Sequence, residues 1–275
     1  MGFTINTNTA SNNAYRNLTL NQNAQSKSLE KLSSGLRINR AADDAAGLAI
    51  SEGLKNQVSG MTVAARNAQD GISVIQTTEG ALTEVHSILN RVRDLAVQSG
   101  NDSNNADSRT AIQTEVTALA EELTRIGAST NFNGIKLLSG ANASLTFQIG
   151  AGGVAAEDQI SVDLTNITTV ATAVAALTFA DPTEAAASIT ALDGHIKNVS
   201  TARSELGASQ NRLESVTKSL NVSIENLSSA GSRIRDTDMA SEMANFTRSQ
   251  ILSQAGTAML SQANQMNSGV MQLLQ

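Results

Sequence analysis

Cysteine and tryptophan are absent from the 275 residues, proline occurs once, at Pro182, and tyrosine occurs once. Each gap removes a class of answer. Without cysteine there is no disulfide scaffold, no thiol nucleophile and no cysteine-ligated metal. With one proline, almost nothing in the chain interrupts a long helix. Aromatic residues make up 2% of the chain, so the large side chains that dominate burial in compact cores are nearly missing. No apolar run approaches the ~20 residues of a membrane span, which predicts no membrane partner. The first eighteen residues lack a basic stretch followed by an apolar one, so they do not read as a Sec signal peptide. Two histidines, His86 and His195, stand alone. No His-Glu-x-x-His pattern is present, and no catalytic, cofactor or metal residue is expected.

What remains is 40% hydrophobic, supplied by Ala, Leu, Ile, Val and Met. That palette suits close helix–helix packing. Net charge is −6, which argues against nucleic acid as a partner, because phosphate binding needs a basic surface. The charge is unevenly placed. Residues 1–40 carry Arg16, Lys27, Lys31, Arg37 and Arg40 against Glu30, whereas residues 236–275 carry Asp236, Asp238 and Glu242 against Arg248. Ends of opposite sign are suited to lie together.

Heptad spacing is the strongest pattern. Every seventh residue from Leu54 is apolar: Leu54, Met61, Ala68, Ile75, Leu82, Leu89 and Ala96. A companion row, Val58, Ala65 and Ile72, then reaches Glu79 and His86. A second long row runs Leu192, Val199, Leu206, Leu213, Leu220, Leu227 and Ile234, and a shorter one reads Ile112, Val116, Leu119, Leu123 and Ile126. These rows predict an elongated, mainly α antiparallel bundle or coiled coil, whose first helix of about 50 residues spans ~75 Å. Gly100 to Asn105 is a turn cluster, with Asn105 or Asp107 as cap of the next helix.

The middle changes character. Asn131-Phe132-Asn133-Gly134 reads as a hairpin turn. Leu145–Ile149 and Gln159–Leu164 alternate like strands around a Gly-rich stretch at 150–153. Five acids and no Lys or Arg fall between Ser139 and Ala185, predicting a small, solvated β-hairpin region. At the ends, Leu252, Met259, Met266 and Leu273 lie seven apart, while Leu18 with Leu32, and Leu29 with Leu36, share weaker rows. Seven Asn in residues 1–35 disfavour an isolated helix, so both ends are expected to be disordered in the monomer and to fold on assembly.

Several segments resemble one family. Ser34-Gly35-Leu36-Arg37-Ile38-Asn39, followed by Asp43-Asp44-Ala45-Ala46-Gly47-Leu48-Ala49-Ile50, closely resembles a segment shared by bacterial flagellins. The opening Ile5-Asn6-Thr7-Asn8, the helix segment Arg91-Val92-Arg93-Asp94-Leu95-Ala96-Val97-Gln98, and the stretches 232–240 and 255–265 agree with it. The resemblance covers about 1–140 and 185–275. It implies a structural, non-enzymatic subunit that polymerises into the flagellar filament, with no cofactor. The hook–filament junction protein is the alternative. Residues 1–40 with 236–275 would form a terminal coiled-coil domain lining the filament channel, 41–138 with 186–235 a helical rod, and 139–185 a surface region. Leu18, Leu29, Leu32, Leu36, Leu252, Met259, Met266 and Leu273 would form the assembly core. Implied partners are further copies of the chain, the flagellar cap and hook-associated proteins and an export chaperone, after type III secretion to the extracellular filament. A host flagellin-sensing Toll-like receptor would read Arg91, Leu95, Gln98 and Glu115.

Overall fold

The computed structural model describes residues 7–272, with side chains to residue 265. Seven helices and four strands follow in the order α1 (Thr9–Ser34), α2 (Ala45–Ser99), α3 (Ala106–Ser129), β1 (Asn131–Phe132), β2 (Ile135–Lys136), β3 (Ser144–Gln148), α4 (Ala155–Asp158), β4 (Gln159–Asp163), α5 (Ile167–Ala175), α6 (Pro182–Arg235) and α7 (Met239–Gln272). The chain divides into two compact units, one of Met1–Asn56 with Asn226–Gln275, the other Gln57–Glu225. The mainly α class and the long heptad helices are as the spacing predicts.

The Gln57–Glu225 unit holds a closed core. Ala68, Ile75, Leu82, Leu89 and Ala96 of the α2 row are buried, as are Leu192, Val199, Leu206 and Leu213 of α6 and Ile112, Val116 and Leu123 of α3. Helices α2 and α6 run antiparallel, as their cross-links show. Arg203 of α6 reaches Glu79 of α2 at 2.6 Å, and Arg93 of α2 reaches Asp193 of α6 at 2.6 Å. Glu79, the exception in its heptad row, is therefore the carboxylate that receives Arg203. His86, the other exception, is half-buried. α3 starts where Asn105 caps it, its side chain accepting from the Ser108 N–H at 2.8 Å. Pro182 is the first residue of α6, the one helical position where the missing N–H costs nothing.

The Asn-Gly turn forms as its residues predict. Asn133 and Gly134 both have positive φ, 49° and 81°, and join β1 to β2. That pairing of left-handed residues gives the tight hairpin. β3 and β4 pair antiparallel, Leu145 opposite Val162 and Phe147 opposite Ile160.

The reading of 139–185 as merely solvated needs correction. Ile149, Ile160, Val162, Ile167, Val170, Ala171, Val174 and Phe179 are buried and join the same core as the heptad rows. Gly71 of α2 leaves room for the Phe147 ring, which lies 3.2 Å from where a Cβ would stand. The Asn67 side chain donates to the Gln148 carbonyl at 3.0 Å. α5 packs on α3, with Thr168 against Gly127. The nine residues of α5, Ile167–Ala175, are too few for their period to be distinctive.

In the other unit, α1 and α7 pair antiparallel. Asn8 donates to the Ala263 carbonyl at 3.0 Å, Leu18 lies against Gly256, and Lys31 meets Glu242 at 4.0 Å. Of the opposite charges at the two ends, Lys31 and Glu242 meet. Poor helix formers at the ends predict disorder; the structure instead has both as helices, each giving the other one packed side. Leu273 and the Met266 side chain lie outside the described residues, as do Ile5 and Asn6.

Candidate assembly surface

The segment 34–47 is a junction, and its residues have identifiable physical tasks. Gly35 ends α1 in the left-handed region, φ 73°, and its N–H caps the Lys31 carbonyl at 2.8 Å. Such a cap suits glycine, which has no Cβ to clash. Leu36 then forms an antiparallel bridge with Asp236. Arg37 donates through Nε to the Ile234 carbonyl at 3.1 Å, placing a cation on the C-terminal end of α6, where the helix dipole favours it. Ile38 is buried. Asp43 accepts from the backbone N–H groups of Arg40 and Asn39 at 3.0 and 3.2 Å. The Arg40 N–H chiefly holds its carboxyl below the usual range, opposed by partial desolvation and supported by the Asn39 N–H and the charges of Lys27 and Lys31. Asp44 caps α2, accepting from the Gly47 N–H at 2.9 Å. Gly47 is buried because Ile38 fills its place: a Cβ there would lie 2.8 Å from Ile38 Cδ1.

Beyond this junction the unit closes poorly. Among its described apolar residues only Leu18 and Ile38 are buried. Leu32 and Leu36 are half-buried, while Leu29, Leu252 and Met259 are 58%, 45% and 64% exposed. Tyr15, Leu20, Ile50, Met239, Met243 and Ile251 are also exposed. Around α7 these residues do not form one stripe. Met243 and Leu252 are nine residues apart, about half a turn round the axis. Polar residues such as Glu242, Arg248 and Gln254 lie between them, and α1 packs against α7. So the surface offered is helical and multi-sided, with exposed apolar side chains set among polar ones. Among the described residues there is no group of three His, Cys, Asp or Glu able to hold a metal, and no helix is long and apolar enough to cross a membrane.

The expected receptor-facing residues are differently disposed. Arg91 and Glu115 form an exposed ion pair at 2.7 Å, joining α2 to α3, and Gln98 is exposed. Leu95 is not on that face. At 3% exposure it packs in the core, as its place beside Val92 and Ala96 on the apolar stripe requires. Arg91 and Arg93 flank Val92 and clamp α2 to two different helices, roles that no local pattern announces.

These features define a class: an α-helical structural protein with a closed helical core and a terminal helix pair whose apolar surface is left open to other helices. The chain belongs to the bacterial flagellin family. The family model of the bacterial flagellin N-terminal helical region matches residues 5–143, and that of the C-terminal helical region matches residues 189–274. A flagellin of Halalkalibacterium halodurans is 52% identical over 272 residues, covering 98% of this chain and 99% of its own. A flagellin of Bacillus subtilis is 47% identical, with the same coverage of both chains. A flagellar filament core protein of Treponema maltophilum is 44% identical over 92% of this chain and 93% of its own. Among solved structures, the flagellin of Bacillus cereus superposes with a TM-score of 0.50 at 30% identity, over 56% of this chain and 88% of that one.

Proposed function

We infer that this chain is a structural subunit of a bacterial flagellar filament, outside the cell, and that its work is polymerisation rather than catalysis. One observation carries the reading: α7 pairs with α1 yet leaves Met239, Met243, Ile251, Leu252 and Met259 exposed on more than one side. Burial at roughly 25 cal/mol per Å² against neighbouring copies stabilises the assembled state. Heterologous, non-closing contacts then build a helix instead of a ring. In this reading residues 1–40 and 236–275 line the channel, 41–138 and 186–235 form the surrounding rod, and 139–185 lies at the outer surface. Leu18, Leu29, Leu32, Leu36, Leu252, Met259, Met266 and Leu273 belong to the assembly core. The hook–filament junction alternative is disfavoured by relatives named flagellin that match along nearly the whole chain. The test is negative-stain microscopy of purified subunit seeded with short filament fragments. Long filaments are expected; a chain that stays monomeric with seeds overturns the assignment.

An export chaperone would cover the exposed apolar residues before assembly, and the flagellar cap and hook-associated proteins are proposed as partners on the family resemblance alone. The exposed Arg91–Glu115 pair with Gln98 favours a second reading, that a host flagellin-sensing Toll-like receptor recognises this face. Leu95 would support it only by holding α2 in place. An Arg91→Ala chain that binds the receptor ectodomain as tightly as the parent would exclude Arg91 from that contact.

A further inference from the structure

We propose that the thioether sulfurs of Met239, Met243 and Met259 are an oxidation site that couples filament growth to peroxide. The proposal rests on the filament reading above. Methionine normally serves as an internal gap-filler. Here Met239, Met243 and Met259, three of the five methionines on α7, are 47%, 52% and 64% exposed. Met61, on the α2 row, is half-buried. Met243 adjoins Ala244 and Met259 adjoins Leu260, and Ile251 and Leu252 lie between them along the helix with Thr247 and Arg248. The sulfurs are therefore accessible in the free subunit and shielded once neighbouring copies cover α7.

The chemistry needs one co-reactant, a hydroperoxide. A sulfur lone pair attacks the nearer peroxide oxygen as the O–O bond breaks, and with hydrogen peroxide the departing oxygen leaves as water after taking up the proton. Sulfur is oxidised by two electrons and the peroxide is reduced by two. The product sulfoxide is polar and accepts strong hydrogen bonds. Buried in an apolar interface it has no partner, and a buried unsatisfied polar group is costly. Oxidised subunits are thus excluded from the growing end, while subunits already assembled are protected. The lesion is reversible in principle by sulfoxide reduction.

The full-length subunit is treated with hydrogen peroxide as monomer and as filament, and oxygen incorporation is read at each methionine by peptide mass. Seeded assembly of the treated monomer is measured in parallel, with Met239→Leu/Met243→Leu/Met259→Leu as the resistant chain. Met239, Met243 and Met259 are expected to oxidise severalfold faster in the monomer than in the filament, with Met61 changing least between the two. The critical concentration of oxidised monomer is expected to rise about tenfold, the scale of losing one methionine's burial, and that of the triple-leucine chain is expected to rise severalfold less after the same peroxide dose. Equal oxidation in monomer and filament, normal assembly of the oxidised chain, or a triple-leucine chain that loses assembly as steeply as the parent at the same peroxide dose each overturns the proposal alone. Failure of the untreated parent to polymerise overturns the filament reading with it.

Discussion

The two units are made from the same kind of helix but finish differently. In Gln57–Glu225 the rows of α2, α3 and α6 face one another, and Leu82, Leu89, Leu192 and Leu213 have no exposed surface. In the unit of Met1–Asn56 with Asn226–Gln275, burial among the described apolar residues reaches only Leu18 and Ile38. The α6 row makes the contrast within a single helix: it is buried to Leu213, then half-buried at Leu220, Leu227 and Ile234. Heptad spacing therefore states where an apolar face is, not whether the same chain covers it. A closed core stabilises the subunit; an unclosed one leaves surface for assembly.

Amide hydrogen exchange on the free subunit tests the contrast most strongly. The middle of α2, residues 68–96, is expected to exchange only by unfolding of its unit, and α1 and α7 by local opening, orders of magnitude faster. Equal protection would remove the difference. Truncation comes next. Leu89→Ala is expected to cost the free subunit about 2–5 kcal/mol in denaturant unfolding, whereas Leu252→Ala is expected to change it by less than about 0.5 kcal/mol and instead to raise the critical concentration for assembly. A large loss of monomer stability in Leu252→Ala would contradict the open surface.

Glycine replacements sharpen the comparison at a smaller scale. Gly47→Ala forces Ile38 and Asp44 aside and is expected to destabilise the junction by about 1–3 kcal/mol, net of the better helix former. Gly80 lies within α2 with open space where a Cβ would stand, so Gly80→Ala is expected to stabilise the subunit by roughly 0.5–1 kcal/mol. Thermal unfolding of the two variants should move in opposite directions. The Arg203–Glu79 pair, about a third exposed on each side, is expected to contribute less than about 1 kcal/mol in a double-mutant cycle, shrinking with added salt.

The smallest effect is the acid dependence of Asp43. Its folded-state pKa is depressed, first by the Arg40 N–H, so its contribution is fully present above the unfolded value near ~4. It is lost as pH falls through the lower folded value. In Asp43→Asn the junction should be less stable at neutral pH and converge on the parent below that range. Parallel acid titrations, followed by circular dichroism, would detect a failure to converge.

Much is legible in the residues because it depends only on near neighbours along the chain. The 3.5-residue period marks α2, α3 and α6, Asn133-Gly134 marks a turn that needs two left-handed residues, and opposite terminal charges mark ends that meet at Lys31 and Glu242. The shared motifs point to the family. What those motifs do is not legible. Arg37 serves a carbonyl at Ile234, Gly47 is small because Ile38 occupies its space, Arg93 serves Asp193, and Leu95 turns inward although its motif suggests a recognition surface. Residues 139–185 carry five acids and no Lys or Arg, which suggests a solvated region, yet Phe179 and Val174 are core. By itself the sequence determined helix type, the positions of apolar faces, the tight turn and family membership, since periodicity and local sterics act over a few residues. Only the tertiary structure decided which faces are filled and which stay open, because burial is a property of two surfaces meeting, and their partners lie scores of residues apart or in another copy of the chain.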